Sequence, residues 1–161
     1  MLTTAQLATL RTFVANSADA AIVAARQAGA TYDLSALLNA AHVPATSAWR
    51  TSVAAQVLDD AATYTTYDGK MQGKRDEWSI LLRYAPRDMS RDKNRNVVVD
   101  VWGNANAGSV GEAILQACVE SATVAQVAIG GSSKTTGTVT ALARDFTGQV
   151  TQDDSRAILA A

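Results

Sequence analysis

Histidine and cysteine, two residue types that often act in catalysis and bind metals, are rare in this chain. The sequence contains one histidine, His42, and one cysteine, Cys118. A structural zinc site needs a larger set of such ligands, so it is excluded. His42 lies just before Pro44 at a predicted helix end, where a capping or surface role is expected, and Cys118 lies on the apolar side of a predicted helix, as a small core residue does. The sequence therefore predicts that the protein is not an enzyme and has no cofactor.

Acidic pairs and a glycine-rich segment are the remaining candidates for chemistry. Asp59-Asp60 and Asp153-Asp154 are adjacent on predicted helices, where neighbouring side chains point in different directions and do not chelate one ion together. They are predicted to solvate or cap those helices. The segment 129–135, Ile-Gly-Gly-Ser-Ser-Lys-Thr, is superficially similar to a phosphate-binding loop. It lacks both glycines of that motif and follows a predicted helix rather than a strand, so it is predicted to be a flexible linker.

Basic side chains are concentrated in one segment. Eight of the fourteen lysines and arginines lie between Lys70 and Arg95, with four acids in the same span, so eight minus four leaves a local charge of +4 in a chain of net charge −1. One interpretation is a solvated surface. The functional interpretation is contact with DNA or with a partner subunit, through side chains around a predicted turn: Arg83, Arg87, Arg91, Lys93 and Arg95. Such groups bind phosphate without reading sequence, and no sequence-reading motif surrounds them.

Helices are predicted to form most of the structure that positions these residues. Alanine is frequent and proline occurs twice, which favours helix over sheet. The centre is predicted to be a helical hairpin from Trp78 to Trp102. Apolar residues at helical spacing continue from Trp78 until Pro86 ends the first helix. Ser90 is predicted to cap the second helix, and Gly103 is predicted to end it.

Three short helices are predicted within the first 42 residues and another over 54–61, all before this hairpin, and one long helix is predicted after it. Thr3 opens the first with a capping-box pattern, and the long helix covers 109–129. The segment 130–137 is small and polar, which is typical of a mobile hinge. The segment 138–150 is predicted to be an extended or hairpin arm that leads to a short terminal helix. Helix and strand both stay open for 97–101 and for 138–150.

The sequence therefore predicts a mainly α protein in two parts. Residues 1–129 form a compact helical bundle, and residues 130–161 form a hinge and an extended C-terminal arm that can contain a β-hairpin. Removal of Thr138–Ala161 is expected to leave a folded domain. No apolar run is long enough to span a membrane. With one cysteine, no export signal at its start and no internal disulfide, the chain is expected to be made in the cytoplasm.

Four short stretches are informative in combination. They are, in order, Trp49-Arg50-Thr51-Ser52-Val53; Trp78 with Leu81-Leu82; Asp88-Met89-Ser90 leading to Asn94-Arg95-Asn96; and Phe146-Thr147-Gly148-Gln149-Val150-Thr151. In this order, in an alanine-rich helical chain of this size, they resemble small structural proteins of tailed bacteriophages. The similarity is to the neck, or head–tail connector (adaptor), proteins, and it covers the larger, C-terminal part of the chain.

This resemblance implies a homo-oligomeric ring that joins the portal of the phage capsid to the tail. Such adaptors are mostly helical and use an extended C-terminal arm to dock on the portal. In this chain the docking residues would be Thr138, Val139, Phe146, Val150, Ile158 and Leu159. The implied partners are the portal, tail or nozzle proteins and, without sequence specificity, DNA in the channel; no membrane is implied. The implied location is the neck of the virion, after synthesis in the host cytoplasm.

Two alternatives stay open. The first is a small helical nucleic-acid-binding protein that uses the basic segment 83–95 and binds DNA with salt-sensitive affinity. The second stays within the phage interpretation and is another minor virion component, such as a head-completion or tail-terminator protein. Ring size and the partner of the basic segment stay open in every case.

Overall fold

The computed structural model describes residues 2–64, 67–103 and 105–160. Its helices are α1 (Thr4–Asn16), α2 (Ala20–Gln27), α3 (Thr31–Asn39), α4 (Ala55–Ala61), α5 (Gln72–Arg83), α6 (Asp92–Trp102), α7 (Val110–Ala117), α8 (Val124–Ile129) and α9 (Gln152–Leu159). Its strands are β1 (Ser47–Trp49), β2 (Val119–Ser121), β3 (Gly131–Thr136) and β4 (Val139–Arg144).

The prediction of a mainly α bundle is wrong, because the protein is α/β with a mixed sheet. Within the described residues, the sheet has four strands in the order β2-β1-β4-β3. β1 runs parallel to β4, with Ala48 opposite Leu142. β3 and β4 are joined by a two-residue turn, a connection that antiparallel strands make and parallel strands cannot. Trp49 of β1 and Val139 of β4 are buried, so the sheet contributes to a hydrophobic core.

Short length and polar composition hid these strands from the sequence analysis. β1 and β2 have three residues each, too few to show the alternation of apolar and polar residues that indicates a strand. β3 consists of glycine, serine, lysine and threonine, a composition that also suits the mobile hinge predicted for 130–137. That hinge prediction is wrong. The two open segments are resolved as helix over 97–101 and as strand over the first part of 138–150.

The long helix predicted over 109–129 is also wrong, because it is interrupted. α7 begins after its N-cap Ser109 but ends at Ala117, and β2 follows. A capping box between Thr123 and Gln126 then starts α8 as a separate helix. The apolar positions of α7 and α8 happen to continue one helical spacing, and this made the two helices look like one.

The C-terminal segment is part of the fold and not an extended arm. β4 lies between β1 and β3 in the sheet, and α9 packs against α1 and α3. The Asn39 amide holds the chain before α9, because it donates to the Val150 carbonyl at 2.8 Å and accepts from the Val150 N–H at 2.9 Å. Removal of Thr138–Ala161 would take away an internal strand and core residues, so a folded remainder is not expected.

Two compact units make up the described chain, and their segments interleave in sequence. Unit 1 contains residues 2–46, 121–131 and 144–160, and unit 2 contains the described residues of 47–120 and 132–143. The chain therefore passes between the units at 46/47, 120/121, 131/132 and 143/144. The division into 1–129 and 130–161 that the sequence predicts follows the chain, whereas these units join segments far apart in it.

Unit 1 consists of helices around a mainly aliphatic core. α1 and α3 each pack against α8 and α9, and α2 packs against α3. The core residues are Leu10, Val14, Ile22, Ala25, Leu34, Leu38, Ala125, Phe146, Val150 and Ile158. The capping box predicted at Thr3 is confirmed, and Thr151 forms another; each closes the first turn of its helix by two reciprocal hydrogen bonds.

Unit 2 has an aromatic core that contains all three tryptophans of the chain. Trp78 and Trp102 meet edge to face, with 5.3 Å between ring centroids, and Tyr67 stacks on Trp102 at 5.8 Å. α5 and α6 form the predicted helical hairpin. Gly103, at φ 85°, ends α6 as predicted. The predicted cap Ser90 is wrong, because the N-cap position is one residue later and the Ser90 hydroxyl donates to a nearby carboxylate instead.

The turn between β3 and β4 depends on a glycine. Gly137 has φ 60°, in the left-handed region that favours glycine. A Cβ at this position would lie 2.4 Å from both the Cβ and the carbonyl oxygen of Ala105. That carbonyl accepts hydrogen bonds from the Thr138 N–H at 3.0 Å and the Thr138 hydroxyl at 3.1 Å, so Ala105 is held in place. The turn therefore requires glycine for its conformation and for space.

Gly137→Ala is expected to destabilise unit 2 by about 2 to 5 kcal/mol, because the left-handed conformation costs about 1 to 2 kcal/mol and steric overlap about 1 to 3 kcal/mol. The matched control is Gly108→Ala, at φ 78° with open space around the position, where only the conformational cost is expected. Urea unfolding followed by tryptophan fluorescence measures both, since the tryptophans lie in unit 2. Equal losses in the two variants would contradict the steric argument.

Candidate functional site

The basic residues predicted as a contact segment lie in the α5–α6 loop (84–91) and in the helix ends beside it. Within this loop, Arg87 caps the end of α5. Its Nε donates to the Leu81 carbonyl and its Nη2 to the Ile80 carbonyl, both at 2.8 Å. The last carbonyls of a helix have few backbone donors, and this arginine adds a donor to two of them; the Ile80 carbonyl also accepts from the Tyr84 N–H at 3.3 Å. The Arg87 guanidinium also lies 5.6 Å from the centroid of the Tyr84 ring. Arg87 is therefore engaged by the end of α5.

The α5–α6 loop is held by backbone and carboxylate hydrogen bonds. Arg87 and Val53 exchange two backbone hydrogen bonds of 2.8 Å. Asp88 accepts from the N–H and hydroxyl of Ser90 and from Nε of Arg91, at 3.0, 2.5 and 3.0 Å. Burial raises the pKa of Asp88, but these hydrogen bonds outweigh burial and hold the pKa below its usual value. The loop therefore has a defined conformation with an ionised carboxylate at its centre.

Arg95 is a buried structural residue, with 1% of its surface exposed. Its guanidinium lies 4.7 Å from the centroid of the Trp49 ring. Nε donates to the Thr136 hydroxyl at 2.9 Å, and the terminal nitrogens donate to the Met89 carbonyl and the Asp92 carboxylate. Burial lowers the pKa of Arg95, and the negative charge of Asp92 opposes that shift. Arg95 therefore joins β1, β3 and the α5–α6 loop within unit 2.

The five predicted contact residues thus divide into two groups. Arg87 and Arg95 donate to groups of their own unit. The remaining three are exposed: Arg83, Arg91 and Lys93. Arg91 forms an exposed ion pair with Asp88 at 3.0 Å, and pairs of this kind contribute little to stability. The structure therefore leaves a smaller basic surface than the sequence predicts.

Three of the four stretches on which the resemblance rests lie in unit 2, and the fourth, Phe146–Thr151, lies in unit 1. Trp49 stacks on Arg95, and its Nε1–H donates to the Lys134 carbonyl at 3.1 Å. The Met89 N–H donates to the Arg50 carbonyl at 2.9 Å. These residues join β1, the α5–α6 loop, α6 and the β-hairpin. In unit 2 these stretches therefore contribute contacts that hold the fold together.

The predicted portal-docking residues lie mainly in the two cores. The buried ones are Val139, Phe146, Val150 and Ile158. Leu159 is half-buried against the core of unit 1. Thr138 is exposed, but its hydroxyl donates to the Ala105 carbonyl and to the Glu112 carboxylate. These side chains stabilise the units and are not presented as a surface for a partner.

His42 and Cys118, the two residues considered for catalysis, each lie in a structural environment. His42 Nδ1 lies 2.7 Å from the Pro44 carbonyl oxygen and 3.1 Å from the Thr46 hydroxyl, in a turn. Cys118 is buried, and burial raises the pKa of its thiol to about 12, while the charge of Arg50 opposes the shift. Across residues 2–64, 67–103 and 105–160, no group of three or more His, Cys, Asp or Glu side chains is placed to hold a metal ion.

Unit 1 presents an apolar surface that the sequence analysis did not identify. We define the α2–α3 face by its exposed residues: Ala21, Ala24, Ala28, Tyr32, Asp33 and Ala36. It contains an alanine-lined groove of about 510 Å³, and Tyr32 is 68% exposed. Val43, in the loop after α3, is 88% exposed. The sequence feature that could have revealed this face is its lack of charge, because Asp33 is the one charged residue between Ala28 and Ala48.

Unit 2 has its own exposed apolar residues at the end of α5. Ile80 and Tyr84 are four positions apart, so they share one face of the helix end. They are 51% and 63% exposed. Arg83, which is also exposed, lies between them in sequence. Tyrosine and arginine are enriched at interfaces, so this group is a second candidate contact surface.

None of the helices in the described part of the chain is long and apolar enough to cross a membrane. No known protein family matches this chain, no curated protein matches its sequence and no solved structure matches its fold.

Replacement of Arg95 tests its structural role. Arg95→Met is expected to destabilise unit 2 by about 2 to 4 kcal/mol, because it removes hydrogen bonds to charged and buried partners. Arg91→Met is the matched control, and about 0 to 1 kcal/mol is expected because that ion pair is exposed. The free energy of unfolding is measured by urea titration of the tryptophan signal. Equal losses in the two variants would refute a structural role for Arg95.

Cys118 is expected to resist alkylation by iodoacetamide at pH 8 in the native protein. The thiolate is the reacting species. With a pKa of about 12, about one thiol in ten thousand is ionised at pH 8. Mass spectrometry after increasing urea concentrations should show labelling that follows the tryptophan transition. Complete labelling of the folded protein within minutes would show that the thiol is accessible and ionised.

Proposed function

We propose that this protein is a structural subunit of the neck of a tailed bacteriophage, where copies of it form a ring that joins the portal to the tail. The observation that carries the proposal is the α2–α3 face, a charge-poor apolar surface on a small protein. The described residues hold no metal-ligand group, and the basic segment is partly internal. On this proposal, the chain acts through its surfaces.

The α2–α3 face has the composition of an interface core. Charged residues are depleted at the centre of protein–protein interfaces, and large exposed apolar patches mark interaction sites. On this face the exposed positions of α2 are alanines, which allow a partner helix to approach closely. Among the residues that define this face, only Asp33 is charged. A subunit contact here would cover Tyr32 and the alanine-lined groove.

A ring needs two different surfaces on each subunit, because its contacts are head to tail. The α2–α3 face in unit 1 is one candidate, and the Ile80–Tyr84 surface in unit 2 is the other. Both expose apolar side chains, and each includes a charge of opposite sign: Asp33 in the first and Arg83 in the second. This pairing of surfaces supports a head-to-tail assembly.

The location and the partners rest on the resemblance to neck proteins. Three of the four stretches that carry it lie in unit 2, around Arg95 and Trp49. On this proposal, the portal and the tail or nozzle proteins are the partners. The exposed Arg83, Arg91 and Lys93 face either a neighbouring subunit or DNA in the channel. A head-completion or tail-terminator protein would use the same self-assembly with a different partner.

The nucleic-acid-binding alternative has less support. It relies on the basic segment 83–95, in which Arg95 is buried and Arg87 caps α5. Of the exposed residues, Arg91 is paired with Asp88. Salt-dependent binding of DNA by the isolated chain, measured by gel shift, would restore this alternative.

Native mass spectrometry and light scattering test the proposal, on the protein alone and mixed with a candidate portal. We expect self-assembly at high concentration, or joining of portal rings in a fixed stoichiometry. Ala24→Glu places a charge in the α2–α3 face. We expect it to raise the concentration for half-assembly at least about tenfold, which corresponds to about 1.4 kcal/mol.

Gln116→Glu is the matched control, since it adds the same charge at an exposed position of α7 outside this face. Circular dichroism should show that both variants keep the native fold. A chain that stays monomeric at all concentrations and ignores portal, tail and nozzle proteins would contradict the proposed function. Equal effects of the two substitutions would remove the α2–α3 face from it.

A further inference from the structure

Two arginines of unit 1 line one groove, and none of the described residues that line it is acidic. The groove has a volume of about 300 Å³, and its lining is Arg11, Thr12, Val14, Ala15, Arg26, Ile158 and Leu159. Val14 and Ile158 are buried and form an apolar floor. The groove therefore combines two positive charges with an apolar floor.

Backbone carbonyls hold both guanidinium groups in position. Nε and Nη2 of Arg11 donate to the Ala157 carbonyl at 3.2 and 2.9 Å. Nη1 of Arg26 donates to the Val14 carbonyl at 2.9 Å and to the Ala15 carbonyl. These contacts use only part of the five N–H donors of each guanidinium. The remaining donors are available to a ligand, and the side chains are already ordered.

The charge of the groove is not balanced by the protein. Within the described residues, neither Arg11 nor Arg26 has an ion pair with a carboxylate. Their carbonyl partners belong to the last turns of α9 and α1, and each helix C-terminus carries a partial charge of roughly −0.5. Two guanidinium charges against two such termini leave about one positive charge. A ligand with a single negative charge would neutralise it.

We propose that this groove binds a carboxylate attached to an apolar group. A carboxylate carries one negative charge and matches the planar guanidinium fork. A phosphate monoester carries about −1.5 to −2 at pH 7 and would exceed the local charge. The apolar floor suits an alkyl chain or an aliphatic side chain beside the carboxylate. The volume is at the lower limit of ligand sites, which favours a small ligand.

Nuclear magnetic resonance titration of the full chain with hexanoate tests the proposal. Hexanoate carries the carboxylate and the alkyl chain, and hexanamide is its uncharged counterpart. We expect saturable shifts of amides in α1 and α9, with a dissociation constant of the order of millimolar for so small a ligand. Hexanamide should bind at least about tenfold more weakly, because it leaves the charge unneutralised.

Variants then assign the site. Arg26→Gln and Arg11→Gln should each weaken hexanoate binding at least about tenfold. Arg156→Gln should leave it unchanged, since Arg156 is exposed and pairs with Asp153 outside the groove. The comparison of hexanoate with hexanamide uses the natural chain, so the proposal stays testable even where a variant fails to fold.

The source of the carboxylate is distinguished by a second probe, acetyl-Leu-Glu-Leu-amide. Tighter binding of this peptide than of hexanoate would indicate an acidic segment of a partner protein, and tighter binding of hexanoate would indicate a free alkyl carboxylate. Phosphate that binds more tightly than both probes would overturn the ligand class. Absence of saturable binding by hexanoate and by the peptide would overturn the site. Neither result bears on self-assembly through the α2–α3 face.

Discussion

The stacking of the buried Arg95 guanidinium on the Trp49 ring is the interaction on which the structure of unit 2 depends. A buried charge is tolerated only where its donors have partners, and here the partners are a carbonyl, a hydroxyl and a carboxylate. Those partners belong to the α5–α6 loop, to β3 and to α6. The charge therefore fixes the relative positions of these elements more strictly than apolar contact alone would.

This arrangement separates two uses of basic residues that the sequence places side by side. Arg95 and Arg87 organise the interior and the end of a helix, and neighbouring arginines remain at the surface. Unit 1 shows the opposite distribution, with alanine both in its core and on its α2–α3 face. In unit 2 the conformation is specified by directional contacts of aromatic and polar groups. In unit 1 larger aliphatic residues and Phe146 fill most of the core, and exposed alanines leave a surface suited to another protein.

Helix positions with strong local signals were predictable from the sequence, and the sheet was not. The capping boxes at Thr3 and Thr151 depend on residues three apart, so the sequence shows them directly. β3 is strand because β4 pairs with it, and its own residues carry no strand signal. The helix predicted over 109–129 failed for the same reason, since β2 forms through pairing with a strand distant in sequence.

The candidate site was predictable only in part. The basic residues are visible in the sequence, but the burial of Arg95 requires Trp49 and Thr136, which lie far from it along the chain. The α2–α3 face was missed because alanine was taken as a helix former and not as a surface. The convergence of Arg11 and Arg26 depends on how α1, α2 and α9 pack, and no local pattern shows it.

The interleaving of the two units has a consequence for the order in which the protein is made. All described residues of unit 2 precede residue 144, whereas unit 1 needs Phe146, Val150 and Ile158 to complete its core. During synthesis α1, α2 and α3 therefore leave the ribosome long before α9, against which α1 and α3 pack. Domains tend to fold as units as they emerge. α1, α2 and α3 therefore belong to the last unit to be completed, and the parts of α1 and α3 that α9 covers stay exposed until α9 has been made.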